Sequence, residues 1–248
     1  MNASGVAADN RPWLLAIDTA TSQVVIAAGT PTGEVIASRS APAEHRHGER
    51  LLAMIDALVA ETGLDLAALD GVVVGTGPGA FTGLRVGLAT AKTLAHELGV
   101  PIAGVSTGEA LLSAGTAAGV GGENVVLRLP AGPHDRVEVR PGQAPRLLPG
   151  GATEAAASAG VAQGRGDIPG SEIAIAIDLE GRASEADLER GVAALAGLPP
   201  ALLRLGLARL TAHGDDAAAL VPEYVMLPRG VSAGLDVGEG VSWSHDRP

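Results

Sequence analysis

The sequence predicts an α/β fold built as two lobes, and three observations carry that expectation. Over residues 13–112, β-rich runs and segments of helical period follow one another in the order βββαβαβα. A stretch dominated by Ala, Gly and Thr at 114–122 then marks a boundary between lobes. Beyond it the chain loosely repeats the strands-then-helices order of its first part.

Leu14–Thr19, Val24–Ala28 and Glu34–Ser38 are β-rich and separated by turn residues, which predicts a three-strand meander. Leu51, Leu52, Ile55, Leu58 and Val59 recur at helical spacing until Gly63 supplies a stop. Val72, Val73 and Val74 form a short all-apolar strand, a pattern that requires burial on both faces, and the glycines of 75–79 are expected to break it. A second helix runs from Thr82 to the stop at Gly99, followed by a strand at Ile102–Val105. Ser106 and Glu109 have the S-x-x-E spacing of a capping box before a third helix. In the second half, strands are expected at Val125–Leu129, Arg136–Arg140 and Ile173–Ile177, with a turn at 141–145 and an Ala-rich helix at Ala152–Ala162. Ser184 and Asp187 predict a cap for a helix ending near Leu195, and Pro199-Pro200 opens another through Thr211.

Composition narrows the function classes. The formal charge of −11 argues against autonomous nucleic-acid binding, which needs clustered Lys and Arg against phosphates. Four aromatics, Trp13, Phe81, Tyr224 and Trp243, are too few for a platform that stacks single-stranded bases. Without cysteine there are no disulfides, thiolate metal sites or thiol nucleophiles. No apolar run reaches the length of a membrane span, and the first residues lack the basic and apolar regions of a signal peptide, so the expectation is a soluble cytoplasmic protein with no membrane partner.

Residues 71–107 carry the sharpest local signal. A buried strand enters a Gly-Pro-Gly turn and then a helix N-terminus, a geometry whose unpaired N–H groups suit an anion. A tight turn uses the same glycines. Neither a Walker lysine pattern nor a GxGxxG fingerprint is present. Asp18 closes the first strand, with Thr19, Thr21 and Ser22 after it; such a carboxylate holds Mg²⁺ in some sites and caps a turn in most. Asp18, Thr19, Gly77 and Gly79 are therefore the candidate phosphate-binding residues, and vestigial ones on the reading developed below. His45 and His47 near Glu44 and Glu49 are a weak metal pattern, and no metal site or cofactor is assigned. Gly83, Gly87, Ala91 and Ala95 repeat every four residues, giving one helix face small side chains that either the protein's own sheet or a partner helix can approach; Leu84, Leu88 and Leu98 flank it, and Arg85, Lys92 and His96 share another face.

LLAIDTATSQVVIAAG followed by GTGPGAFTGLRVGLATAKTLAHELGVPIAGVST resembles the bacterial TsaB (YeaZ) family over about residues 13–112, and PEYVMLPRG at 222–230 is similar to its C-terminal Pro-x-Tyr-x-x-Arg segment. His47 matches a histidine usual there. The resemblance implies an actin-like (ASKHA) ATPase fold of two lobes, each a mixed sheet with helices. The expected organisation is a flexible N-terminus at 1–12, from its small polar residues, a first lobe at 13–112 joined by about 215–230, a second lobe at 113–214 and a flexible tail at 231–248, from its Gly and Ser.

On this resemblance the chain is a non-catalytic subunit. It would bind TsaD, which transfers a threonylcarbamoyl group to the adenosine beside the anticodon of tRNA, together with the ATPase TsaE, and would touch tRNA only indirectly. The first two helices of such proteins bundle with those of TsaD, or of a second copy when alone, which favours a partner interface at Leu51, Ile55, Leu58, Gly83, Leu84, Gly87, Leu88, Ala91 and Ala95. The paralogue's His-x-x-x-His metal motif falls on Ser106-Thr-Gly-Glu-Ala110, which has neither imidazole. The second lobe departs from the family's Asp-Ala-Arg and Glu-Val-Tyr segments, reading LPAGPHDRVEV. The alternative is an ATP-dependent kinase or hydrolase of the same fold, using Asp18 and the 75–79 loop; a glycoprotease is a poorer third, since no protease constellation is visible.

Overall fold

The computed structural model describes residues 10–44, 47–120, 124–132, 134–149 and 172–225. The first sheet contains β1 (Trp13–Asp18), β2 (Gln23–Gly29), β3 (Val35–Pro42), β4 (Leu69–Gly77) and β5 (Ile102–Ser106) in the order β3-β2-β1-β4-β5. The meander is antiparallel, whereas β4 and β5 join in parallel. The second sheet, of β6 (Val125–Ala131), β7 (Asp135–Val139), β8 (Arg146–Leu148) and β9 (Ile173–Ala176), has the order β8-β7-β6-β9. Its antiparallel pairs and its parallel β6–β9 pair repeat the β3-β2-β1-β4 arrangement.

Every residue of β1 is buried because helices cover both faces of the first sheet. Trp13, Leu15 and Ile17 point to the face packed by Leu51 and Leu58 of α1 (His47–Thr62) and by Leu88 and Ala91 of α2 (Phe81–Leu98). Leu14 and Ala16 point the other way, into a core that includes Leu111 of α3 (Thr107–Ala117) and Leu202 and Leu203 of α5 (Leu198–Thr211). That core continues into the second sheet through Leu127, Val137 and Ile175. Alternate side chains of one sheet thus serve two separate layers. α4 (Glu185–Ala196) packs along β9, where a Cβ on Gly191 would stand 1.9 Å from the Ala176 carbonyl oxygen.

Two caps follow the expected chemistry. Ser106 Oγ accepts from the Glu109 N–H (3.4 Å) and Ser184 Oγ from the Asp187 N–H (3.2 Å), each satisfying an orphan donor of a helix start. β4 extends well beyond the expected Val72–Val74, because Gly75 and Gly77 continue the ladder to β5 across an irregularity instead of breaking it. β8 and a short 3₁₀ turn at Leu66–Ala68, capped by Asp65, were not anticipated; both are too short for a periodic signal. The expected helix at 152–162, the tail at 231–248, residues 226–230, His45 and the His47 side chain lie outside the described residues.

The segment after α5 returns to the first sheet. Asp215 donates its N–H to the Ile102 carbonyl (2.8 Å) and accepts from the Gly104 N–H (2.7 Å), so it occupies hydrogen-bonding groups that the edge of β5 would otherwise expose. Glu223 N–H then reaches the Thr76 carbonyl (2.7 Å). Among the described residues no single helix is long and apolar enough to cross a membrane. The bent pair α4 and α5 meets that test only jointly, and Leu198, Leu202 and Leu203 of α5 are fully buried in the protein's own core.

Candidate functional site

The candidate phosphate corner lies where β1, β4 and β5 end, at the side of a parallel sheet where ligands ordinarily bind. Asp18 is 0% exposed. Its Oδ2 accepts from Thr107 Oγ1 (2.6 Å) and its Oδ1 from the Ala20 N–H (3.0 Å). Thr107 in turn accepts from the Gly77 N–H (3.2 Å), tying the glycine loop to the start of α3. Burial pushes the Asp18 carboxyl up to about 6, with the Thr107 hydroxyl and the Ala20 N–H pulling against it.

This corner is filled by its own backbone. A Cβ on Gly75 would stand 1.8 Å from Asp18 Oδ2, and one on Gly79 would stand 2.1 Å from the Ala20 carbonyl oxygen. That carbonyl accepts the Ala80 N–H (2.6 Å), closing the β1–β2 hairpin onto the loop before α2. Gly75 and Gly79 serve close packing of the loop on the hairpin, whereas Gly77, at φ +112°, lies against the Glu223 carbonyl and Leu84. The sequence reading missed Thr107: it lies 89 residues from Asp18, and no local spacing signals that contact.

The small-residue stripe faces inward. Gly83, Leu84, Gly87, Leu88, Ala91 and Ala95 are the buried residues of α2. On α1, Leu51 and Leu58 are fully buried and Ile55 nearly so. All nine positions expected at a partner interface lie in the chain's own core, a correction with a steric cause. Thr19 Oγ1 donates to the Gly83 carbonyl (2.7 Å), and a Cβ on Gly87 would stand 2.3 Å from that same hydroxyl. Small residues at this spacing let α2 lie directly on the end of β1, and periodicity does not distinguish a sheet from a partner helix.

The opposite faces of the two helices are open. Leu52, Ala53, Asp56 and Ala60 of α1 and Arg85, Ala89, Thr93 and His96 of α2 are exposed, and Leu52 is 59% exposed. At the start of α2, Arg85 stacks 4.0 Å over the Phe81 ring and donates from Nε to Tyr224 Oη (2.9 Å), while the two rings lie 5.0 Å apart. Next to Tyr224, burial holds the Glu223 carboxyl above its usual range; the Ser106 hydroxyl opposes that shift and Glu109 adds repulsion. No cluster of metal-ligating side chains occurs among the described residues.

Two mixed sheets of the same strand order, with helices on the faces of the first and a shared helical layer, define a protein of the actin-like (ASKHA) fold class. A family model described as TsaD, tRNA N6-adenosine threonylcarbamoyltransferase, matches residues 32–139. The structure of YeaZ from Pseudomonas aeruginosa superposes with a TM-score of 0.60 at 25% identity, covering 87% of this chain and 100% of that one. The chain is 35% identical over 94 residues to TsaB of Escherichia coli, covering 38% of this chain and 40% of that protein. It is 42% identical over 99 residues to an uncharacterized protein of Mycobacterium tuberculosis, covering 40% of this chain and 47% of that one. The matched stretches span less than half of these curated relatives' own length. The chain is thus similar in sequence to TsaB over part of its length and similar in fold to YeaZ over most of it.

Proposed function

We propose that this chain is a non-catalytic scaffold that binds a TsaD-like catalytic subunit, with a TsaE-like ATPase, for threonylcarbamoylation of the adenosine next to the tRNA anticodon. The work is cytoplasmic, and contact with tRNA is left mainly to the partner. The observation that carries the reading is the filled corner at Asp18. A carboxylate with no solvent exposure, bonded to Thr107 and abutted by Gly75, is poorly placed to hold a metal–phosphate group or a reacting water. The same geometry weighs against the kinase or hydrolase alternative. The stretch matching the paralogue's metal motif supports the reading too: Ser106 caps α3 and Ala110 is fully buried.

For the partner surface, the open faces of α1 and α2 replace the buried stripe. Leu52 is a large apolar side chain in water, and Ala53, Ala60 and Ala89 are small enough to admit another helix closely. Asp56 on one helix and Arg85 on the other offer opposite charges to a bundle built from a related helix pair, including a second copy of this chain. The functional test is restoration of threonylcarbamoyladenosine in cells depleted of their own TsaB. A well-folded chain that fails to restore it refutes the assignment.

A further inference from the structure

We propose that Asp178 is an internal anion that latches the second sheet onto the β1–β2 hairpin and keeps outside anions off the hairpin's donors. The Ser22 N–H donates to Asp178 Oδ2 (2.7 Å) and the Ser22 hydroxyl donates to Oδ1, so one carboxylate takes both donors of one residue across 156 positions of sequence. An N–H and a hydroxyl side by side are the pair that two oxygens of a phosphate would use. Two further amides of the hairpin are also taken internally: Ala20 by Asp18 and Gln23 by Thr21 Oγ1.

The carboxylate is placed by its own segment. Asp178 follows β9 with φ +56°, a left-handed backbone that Asp tolerates better than most side chains. The adjacent Leu179 is fully buried, and the Arg182 guanidinium reaches the Asp178 carbonyl (3.5 Å). The latch therefore sits at the C-terminal ends of β1 and β9, with α3 and α5 forming the layer that joins the two sheets elsewhere. With a fixed negative charge on the donors, a second anion meets repulsion as well as an occupied site. This inference concerns the chain alone and stands whether or not the scaffold reading holds.

The test is amide hydrogen exchange at Ser22 in the full chain, for the native protein and for Asp178→Gly, which keeps the left-handed backbone while removing the carboxylate. Exchange at Ser22 is expected to rise about tenfold or more in the variant, the scale of a hydrogen bond to a charged group. Inorganic phosphate, compared with chloride at equal ionic strength, is expected to slow that exchange in the variant and to leave the native chain unchanged. Asp178→Asn, which also accepts the left-handed backbone, serves if the glycine variant fails to fold and should shift exchange in the same direction. Unchanged exchange at Ser22 overturns the latch, and phosphate acting on both chains alike, or on neither, overturns the exclusion of outside anions.

Discussion

At the residue scale, Asp18 ties folding to pH. Its carboxyl is held at about 6 in the fold against 3.8 in the open chain, so between those values the native state keeps a proton that the unfolded state has released. Stability therefore falls as pH rises through this window, by up to about 3 kcal/mol once both states are ionised. Asp18→Asn removes the titration while preserving an acceptor for the Ala20 N–H. Urea midpoints of the two proteins should diverge in the variant's favour from pH 4 to pH 7, and parallel curves would contradict the shift. Gly87 gives a second test. Any side chain there drives into Thr19 and its bond to the Gly83 carbonyl, so Gly87→Leu should cost about 3 kcal/mol or more and lower the thermal midpoint of the isolated chain. That variant is therefore a probe of the fold, and loss of partner binding in it says nothing about an interface.

Elements carry the next level of prediction. α3 begins at Ser106, whose hydroxyl also donates to the Gly77 carbonyl (3.1 Å) or the Glu223 carboxylate (3.1 Å), so one side chain holds a helix start, the glycine loop and the C-terminal segment. Ser106→Ala should cost about 1–2 kcal/mol, read as a shifted urea midpoint with unchanged slope. On α1 and α2 the relevant variants are on the outside. Leu52→Asp with Ala89→Arg should leave stability within about 0.5 kcal/mol, since neither side chain supports the core, and should abolish co-purification with a TsaD-like subunit. Retained co-purification would remove the helix pair as the docking face. The capping serines and the alternating strands could be read ahead of the structure because their chemistry is local. β8 could not, since three residues set no period and owe their form to pairing with β7.

For the whole molecule, the decisive feature is a core that does not stop at a lobe. Leu14 and Val73 of the first sheet and Leu127 and Ile175 of the second share one cluster through α3 and α5. Unfolding should accordingly be a single transition, with Trp13 fluorescence and far-ultraviolet circular dichroism following one curve, despite a length at which intermediates become common. Two separated transitions would mean that the shared layer does not couple the sheets. The excess of acid over base leaves the molecule at −11, the wrong sign for drawing in a nucleic acid by its own field.

The sequence by itself determined the strand and helix order of the first sheet and its helices, two helix caps and the all-apolar central strand. These follow from periodicity and from the chemistry of Ser at a helix start, both of which act over a few residues. Only the tertiary structure decided which way the small-residue face of α2 points, because a glycine every fourth residue suits a sheet and a partner helix equally until Thr19 is found against it. It also decided that Thr107 and Asp178 meet the hairpin at all. Those contacts span 89 and 156 residues, and chain geometry, not local propensity, brings such distant groups together.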